Sequence, residues 1–60
     1  MNIKLKMKIL SSGKTQREIA TLLKIPETRL SEYVQEVKEV PVEIKTSISQ
    51  LLGCEEGEIF

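Results

Sequence analysis

The chain has 60 residues, 40% of them apolar, which supports one small hydrophobic core and is too apolar for a disordered tail. Cys54 is the only cysteine and histidine is absent, which excludes an intramolecular disulfide, a His–Cys zinc site and a histidine general base. No apolar run is long enough to cross a bilayer, and the N-terminus lacks the unbroken apolar segment of a signal peptide. We therefore expect a complete cytoplasmic protein with one domain, 1–60, and with no cofactor, metal, membrane contact or small-molecule substrate.

The charges are divided unevenly along the chain, although nine Lys and Arg balance nine acidic residues. Residues 1–30 hold seven basic residues and two glutamates, a net charge of +5. Residues 31–60 hold two basic residues and seven glutamates, a net charge of −5. A basic half and an acidic half favour a polyanion on one side of the molecule and solvent or a partner on the other.

Residues 2–12 fit two secondary structures. Apolar and polar residues alternate there, which is a strand pattern. Three of the apolar residues also have the i, i+4, i+7 spacing of one helix face: Ile3, Met7 and Leu10. Asn2 is a plausible N-cap and Ser11-Ser12-Gly13 a plausible stop. The local pattern leaves both readings open, but a lone strand would have no partner in a chain that is otherwise helical, so we predict a helix.

Two further helices follow, separated by only about three residues around Lys24-Ile25. The first spans 15–23, where Thr15 and Glu18 form a capping-box pattern before an apolar stripe made of Ile19, Ala20, Leu22 and Leu23. The second spans 26–37, where Pro26 suits a first turn before the apolar residues Leu30, Tyr33, Val34 and Val37. So short a connection predicts that the two helices cross steeply.

The last third of the chain predicts a loop at 38–41, a helix at 42–52 and a short terminal turn. The helix has one apolar face, formed by Ile44, Ile48, Leu51 and Leu52, and Gly53 is a natural residue to end it. We expect Cys54 to be at least half-buried in the corner that follows. We also expect the terminal turn to place Ile59 and Phe60 on the core.

Residues 15–34, TQREIATLLKIPETRLSEYV, resemble the helix-turn-helix of the phage repressor and Cro superfamily, also called the XRE family. The residues that carry the resemblance are Gln16, Glu18, Ile19, Ala20, Leu23, Ile25, Leu30, Ser31, Pro41 and the Leu51-Leu52-Gly53 run. The similarity extends from about Leu5 to Phe60. It implies an all-α, lambda-repressor-like bundle of four to five helices with a central helix-turn-helix. The spacing has its own physical reason: Ala20 allows a close helix approach, Ile25 fills the turn and Leu30 is buried in the second helix.

The resemblance also implies a function, namely sequence-specific binding of double-stranded DNA by a transcriptional regulator, most simply a repressor. The helix at 26–37 would enter the major groove. The positions that match base-reading residues of the family are Glu27, Thr28 and Glu32. Arg29 lies close by and is expected to contact bases as well. The positions that match phosphate-contacting residues are Gln16, Arg17, Gln35 and Lys38. A homodimer on a palindromic site is expected, with helix 42–52 and the tail, including Ile59 and Phe60, as candidate dimer surfaces.

Three features depart from the family pattern. Lys24 and Glu36 occupy positions where the family usually has glycine, and a positive φ at Lys24 would cost roughly 1–2 kcal/mol. The helix at 26–37 would then either continue past Glu36 or enter a different loop. Glu27 and Glu32 make the reading face partly acidic, although glutamate can accept a hydrogen bond from cytosine N4.

Two other classes of function remain open on the sequence. A protein-interaction module of antitoxin or anti-repressor type would suit the acidic second half, and Glu27, Thr28 and Glu32 would then be a plain solvated face. An enzyme has little support, because the chain has no histidine, no aspartate and no glycine-rich phosphate loop. We therefore predict no catalytic residues.

Overall fold

The computed structural model describes all 60 residues and contains five helices and no strand. The helices are α1 (Ile3–Ser11), α2 (Gln16–Leu23), α3 (Glu27–Val34), α4 (Val42–Leu52) and α5 (Glu56–Ile59). The all-α prediction is confirmed, as is the choice of a helix for residues 2–12. No helix has the length and apolar character needed to cross a membrane.

Every helix contributes to one core of nine buried hydrophobic residues: Leu5, Ile9, Ile19, Ala20, Leu30, Tyr33, Val34, Ile48 and Ile59. The one buried polar residue is Ser49, whose hydroxyl donates to the carbonyl oxygens of Lys45 and Thr46, at 2.7 and 3.1 Å. The core therefore contains no unsatisfied side-chain polar group. Even the four-residue α5 contributes one core residue, Ile59.

Helix α1 packs with a different face from the one its spacing predicted. Leu5 and Ile9 are buried, whereas Ile3, Met7 and Leu10 are 59–66% exposed. Because each residue turns a helix by about 100°, the two sets lie on nearly opposite sides of α1. The strand-like alternation in the sequence arises because α1 carries apolar residues on two of its faces. Only one of these faces packs into the core.

Helices α2 and α3 are joined by a tight turn whose geometry is fixed by backbone hydrogen bonds. The capping box at the start of α2 is present: Thr15 Oγ1 accepts from Glu18 N–H, and a Glu18 carboxylate oxygen accepts from Thr15 N–H, both at 3.1 Å. Lys24 ends α2 in the left-handed conformation, with φ 61°. The N–H of Ile25 then donates to the carbonyl of Ala20 at 3.0 Å. This confirms the short connection between the two helices.

The predicted apolar stripe of α2 is only partly correct. Ile19 and Ala20 are buried and Leu23 packs against the core, but Leu22 is 56% exposed.

Helix α3 ends three residues earlier than the sequence predicted. Its last residue is Val34, and Glu36 adopts a positive φ of 63°. The N–H of Val37 donates back to the carbonyl of Glu32 at 2.9 Å, which resembles a Schellman closure of the helix end. Val37 is consequently 70% exposed, so its assignment to the buried stripe of this helix was wrong.

Helix α4 has the predicted bounds, and Gly53 follows it with φ 69°. Cys54 is half-buried at the corner between α4 and α5, as predicted. Ile59 is 1% exposed, which confirms its place in the core but removes it from any dimer surface. Phe60 is still 38% exposed, and its ring lies 5.6 Å from Lys45 Nζ, so only half of the prediction for the tail is correct.

Candidate functional site

The first turn of α3 is exposed to solvent. Glu27, Thr28 and Arg29 are all exposed. The rest of the helix is held by its inner face, where Leu30, Tyr33 and Val34 are at most 5% exposed. A rigid core therefore supports one free helical turn that carries three of the four predicted base-reading residues.

The N-terminal end of α3 also has free backbone donors. Pro26 precedes it and provides no side-chain hydrogen bond to the helix. The first intrahelical bonds run from the N–H groups of Arg29 and Leu30 to the Pro26 carbonyl, at 3.0 and 3.2 Å. The N–H groups of Glu27 and Thr28 consequently have no partner within the protein, and such groups at a helix start favour an anion.

The first turn of α2 carries the two predicted phosphate contacts that precede the turn. Gln16 is half-buried and Arg17 is exposed. The capping box fixes the backbone direction at this point, so these side chains extend from a defined helix start.

The remaining predicted residues lie at the other end of α3. Glu32 is half-buried on the helix, Gln35 is the exposed residue that caps it and Lys38 is exposed in the loop that follows. The Nζ of Lys38 lies 4.0 Å from a carboxylate oxygen of Glu32, so a predicted phosphate contact is paired with a predicted base contact. The Lys38 side chain is 58% exposed and the Glu32 side chain 39% exposed, so solvent screens the pair and it contributes at most about 1 kcal/mol.

One basic residue of this surface was missed when the site was predicted from the sequence. Lys24 is exposed in the turn between α2 and α3 and has the left-handed conformation described above. Its position in the turn between the two helices could have identified it as a site residue. The sequence analysis noted Lys24 only because the family usually has glycine at this position. With Lys24 added, the predicted site residues include four cations, Arg17, Lys24, Arg29 and Lys38, and two anions, Glu27 and Glu32.

No group of three or more histidine, cysteine, aspartate or glutamate side chains is arranged to hold a metal ion. Comparison of the chain with protein-family models, with characterised proteins and with solved structures gives no significant match.

Proposed function

We propose that the protein binds double-stranded DNA, with the first turn of α3 in the major groove and the first turn of α2 against the phosphate backbone. The observation that carries this proposal is the exposed, uncapped start of α3 held on a fully buried inner face. An α-helix with its side chains is about 10–12 Å across, and the major groove is about 12 Å wide. A helix presented in this way can approach base edges without any rearrangement of the core.

The side chains available at the surface suit this role. Arg29 can donate two hydrogen bonds to guanine O6 and N7, and Glu27 or Glu32 can accept from cytosine N4. Phosphates would be contacted by residues at the start of α2, Gln16 and Arg17, and by residues at and after the end of α3, Gln35 and Lys38. These contacts would set the register of the protein on the duplex. The two glutamates reduce non-specific attraction to DNA, so recognition would depend strongly on base contacts.

The size of the protein favours two copies on one operator. The fold measures 22 × 22 × 20 Å, which matches roughly six base pairs at about 3.4 Å each. So short a site specifies little in a genome, whereas two copies on a palindrome multiply modest affinities. The biological role that follows is a cytoplasmic transcriptional regulator of the repressor kind.

The test is fluorescence anisotropy with a random-sequence duplex at about 50 and about 200 mM salt. We expect binding that falls steeply with salt and that weakens in Arg17→Ala and in Arg29→Ala. Arg17→Ala should also flatten the salt dependence, because it removes a phosphate contact. The matched control is Lys45→Gln, which removes one positive charge beside Phe60, outside the proposed interface.

Absence of binding at low salt and high protein concentration would refute the proposal. An equal loss in Lys45→Gln would show that overall charge, and not the α2–turn–α3 surface, is responsible. If binding is confirmed, selection from a random duplex library then identifies the operator.

A protein-interaction module on the same fold is the second candidate. The acidic residues Glu27 and Glu32 on the exposed side of α3 favour it, because they repel phosphates. This candidate predicts no salt-dependent affinity for any duplex.

A further inference from the structure

A cleft of about 330 Å³ opens beside the end of α3. Its walls come from the loop that follows α3, from Lys45 on α4 and from Phe60. Val37, Val40 and Phe60 supply its apolar lining, together with Tyr33. Sites for small molecules have volumes of about 300–1,000 Å³ and combine apolar walls with a few polar groups. The cleft lies at the lower end of this range and therefore suits a small ligand.

The cleft contains a hydroxyl group that has no partner in the protein. Tyr33 is only 5% exposed, yet its hydroxyl takes part in none of the side-chain hydrogen bonds of the fold. No wholly buried side-chain polar atom lacks a partner, so this hydroxyl reaches solvent. The cleft is the one cavity that Tyr33 lines. The hydroxyl is therefore available there to donate one hydrogen bond and to accept another.

The cleft is lined by four charged side chains, those of Glu36, Lys38, Glu39 and Lys45. Two of them already have a partner. A carboxylate oxygen of Glu36 lies 3.5 Å from the Met1 ammonium. The Nζ of Lys38 lies 4.0 Å from a carboxylate oxygen of Glu32. The charges that remain free for a ligand therefore belong to the other two side chains.

Lys45 contributes a free cation and Glu39 a free anion, since neither belongs to the two salt bridges of the protein. Lys45 is half-buried, and its Nζ lies 5.6 Å from the centre of the Phe60 ring. The ring attracts the cation but leaves its three N–H donors for other partners. Glu39 is exposed. One free cation and one free anion on the same small cleft match a ligand that carries both charges.

We propose that this cleft binds a free α-amino acid with an apolar side chain. The carboxylate of the amino acid accepts hydrogen bonds from the Lys45 ammonium and the Tyr33 hydroxyl. Its ammonium pairs with Glu39, and its side chain packs against Val37 and Val40. A ligand with a single charge would leave either the lysine or the glutamate without a partner, and an uncharged one would leave both. The amino acid is bound and released unchanged, so the expectation of no small-molecule substrate is unaffected.

The amino-acid site is separate from the proposed DNA surface. Tyr33, Glu39 and Lys45 are not among the residues that the proposed function places on DNA. Lys38, which is among them, lines the cleft but is paired with Glu32 and is not needed by the ligand. The inference therefore stands or falls independently of the proposed function.

The test is a nuclear magnetic resonance titration of the ¹⁵N-labelled full chain with L-leucine, in the absence of DNA. We expect saturable shifts of the amide signals of residues 36–40 and 45, with a Kd of about 1 mM or lower. Two analogues divide the ligand into its parts. 4-Methylpentanoate lacks only the ammonium and should bind about threefold more weakly, whereas 3-methylbutylamine lacks the carboxylate and should bind about tenfold more weakly.

Variants of the chain assign each contact. Tyr33→Phe should weaken leucine binding by about two- to tenfold and leave thermal unfolding nearly unchanged, because the hydroxyl bonds nothing in the protein. Glu39→Gln should weaken the binding of leucine but not of 4-methylpentanoate, which has no ammonium. Lys45→Gln should weaken the binding of leucine but not of 3-methylbutylamine, which has no carboxylate. Glu43→Gln removes an exposed carboxylate that does not line the cleft and should have no effect.

Four results would overturn the proposal. The first is no saturable shift up to about 10 mM leucine, ten times the expected Kd. The second is shifts confined to residues away from the cleft. The third is an equal loss in Glu39→Gln and Glu43→Gln. The fourth is 4-methylpentanoate binding as tightly as leucine, which would assign the cleft to a simple carboxylate instead of an amino acid.

Discussion

The side-chain amide of Asn2 donates a hydrogen bond to the carbonyl oxygen of Ile59 at 2.6 Å, joining residues 57 positions apart. The other polar atom of this side chain, Oδ1, accepts from the N–H of Leu5 at 3.0 Å and caps α1. One residue therefore begins the first helix and fixes the last one. The N-cap role of Asn2 was predicted from the sequence, but its bond to Ile59 was not.

The two roles of Asn2 can be separated by substitution. Asn2→Ala removes both bonds and should lower the free energy of unfolding by about 1–3 kcal/mol. Asn2→Ser keeps an oxygen that can cap α1 and removes the donor to Ile59, so its loss should be smaller. Urea titration followed by circular dichroism measures both. Equal losses in the two variants would mean that the cap contributes nothing.

The inverted packing of α1 gives a second prediction. Leu5 is fully buried, so Leu5→Ala should cost about 2–5 kcal/mol of stability. Met7 on the other side of α1 is 59% exposed, so Met7→Ala should change the stability by no more than about 0.5 kcal/mol. Thermal and urea unfolding compare the two. A large cost for Met7→Ala at concentrations where the protein is monomeric would contradict the placement of the two faces.

Two residues with a left-handed backbone conformation, Lys24 and Gly53, give predictions of opposite sign for the free energy of unfolding. The left-handed conformation costs a residue with a Cβ roughly 1–2 kcal/mol, and Lys24→Gly removes this cost. Glycine also makes the unfolded chain more flexible, so the net gain in the free energy of unfolding is up to about 1 kcal/mol. Gly53 has φ 69° and open space around its Cα, so Gly53→Ala should destabilise through the backbone alone, by about 1–2 kcal/mol. Lys24→Ala is the control, because it removes the charge but keeps the strain. A gain in Lys24→Ala equal to that in Lys24→Gly would attribute the effect to charge.

The ion pair between Glu32 and Lys38 gives a prediction about DNA. Under the proposed function, Glu32→Gln removes a negative charge from the interface and frees Lys38 for a phosphate. Affinity for random duplex should rise, by roughly two- to tenfold at low salt. Glu43→Gln makes the same change of charge at the start of α4 and is the control. An unchanged affinity in Glu32→Gln would place this end of α3 away from DNA.

The sequence was most informative where local chemistry decides the structure. Capping residues and breakers act on their immediate neighbours, so the capping box of α2 and the bounds of α4 were predicted correctly. The face that α1 buries was not, because the spacing of Ile3, Met7 and Leu10 describes a helix face as well as that of Leu5 and Ile9 does. Only packing against the other helices selects between them.

The end of α3 was mispredicted for a related reason. The apolar spacing continues through Val37, but Glu36 ends the helix with a positive φ, a backbone conformation that residues other than glycine rarely adopt. The eight predicted site residues lie on or beside α2 and α3, and the structure adds Lys24 to them.

The helices of this protein have only nine, eight, eight, eleven and four residues. Isolated helices shorter than about 12–15 residues are marginal in water, so each of them depends on the shared core for its existence. Unfolding should therefore be all-or-none, and amide protons of α3 should exchange with solvent only when the whole molecule opens. A peptide copied from α3 would be a random coil, and whatever α3 recognises, it can do so only as part of the intact domain.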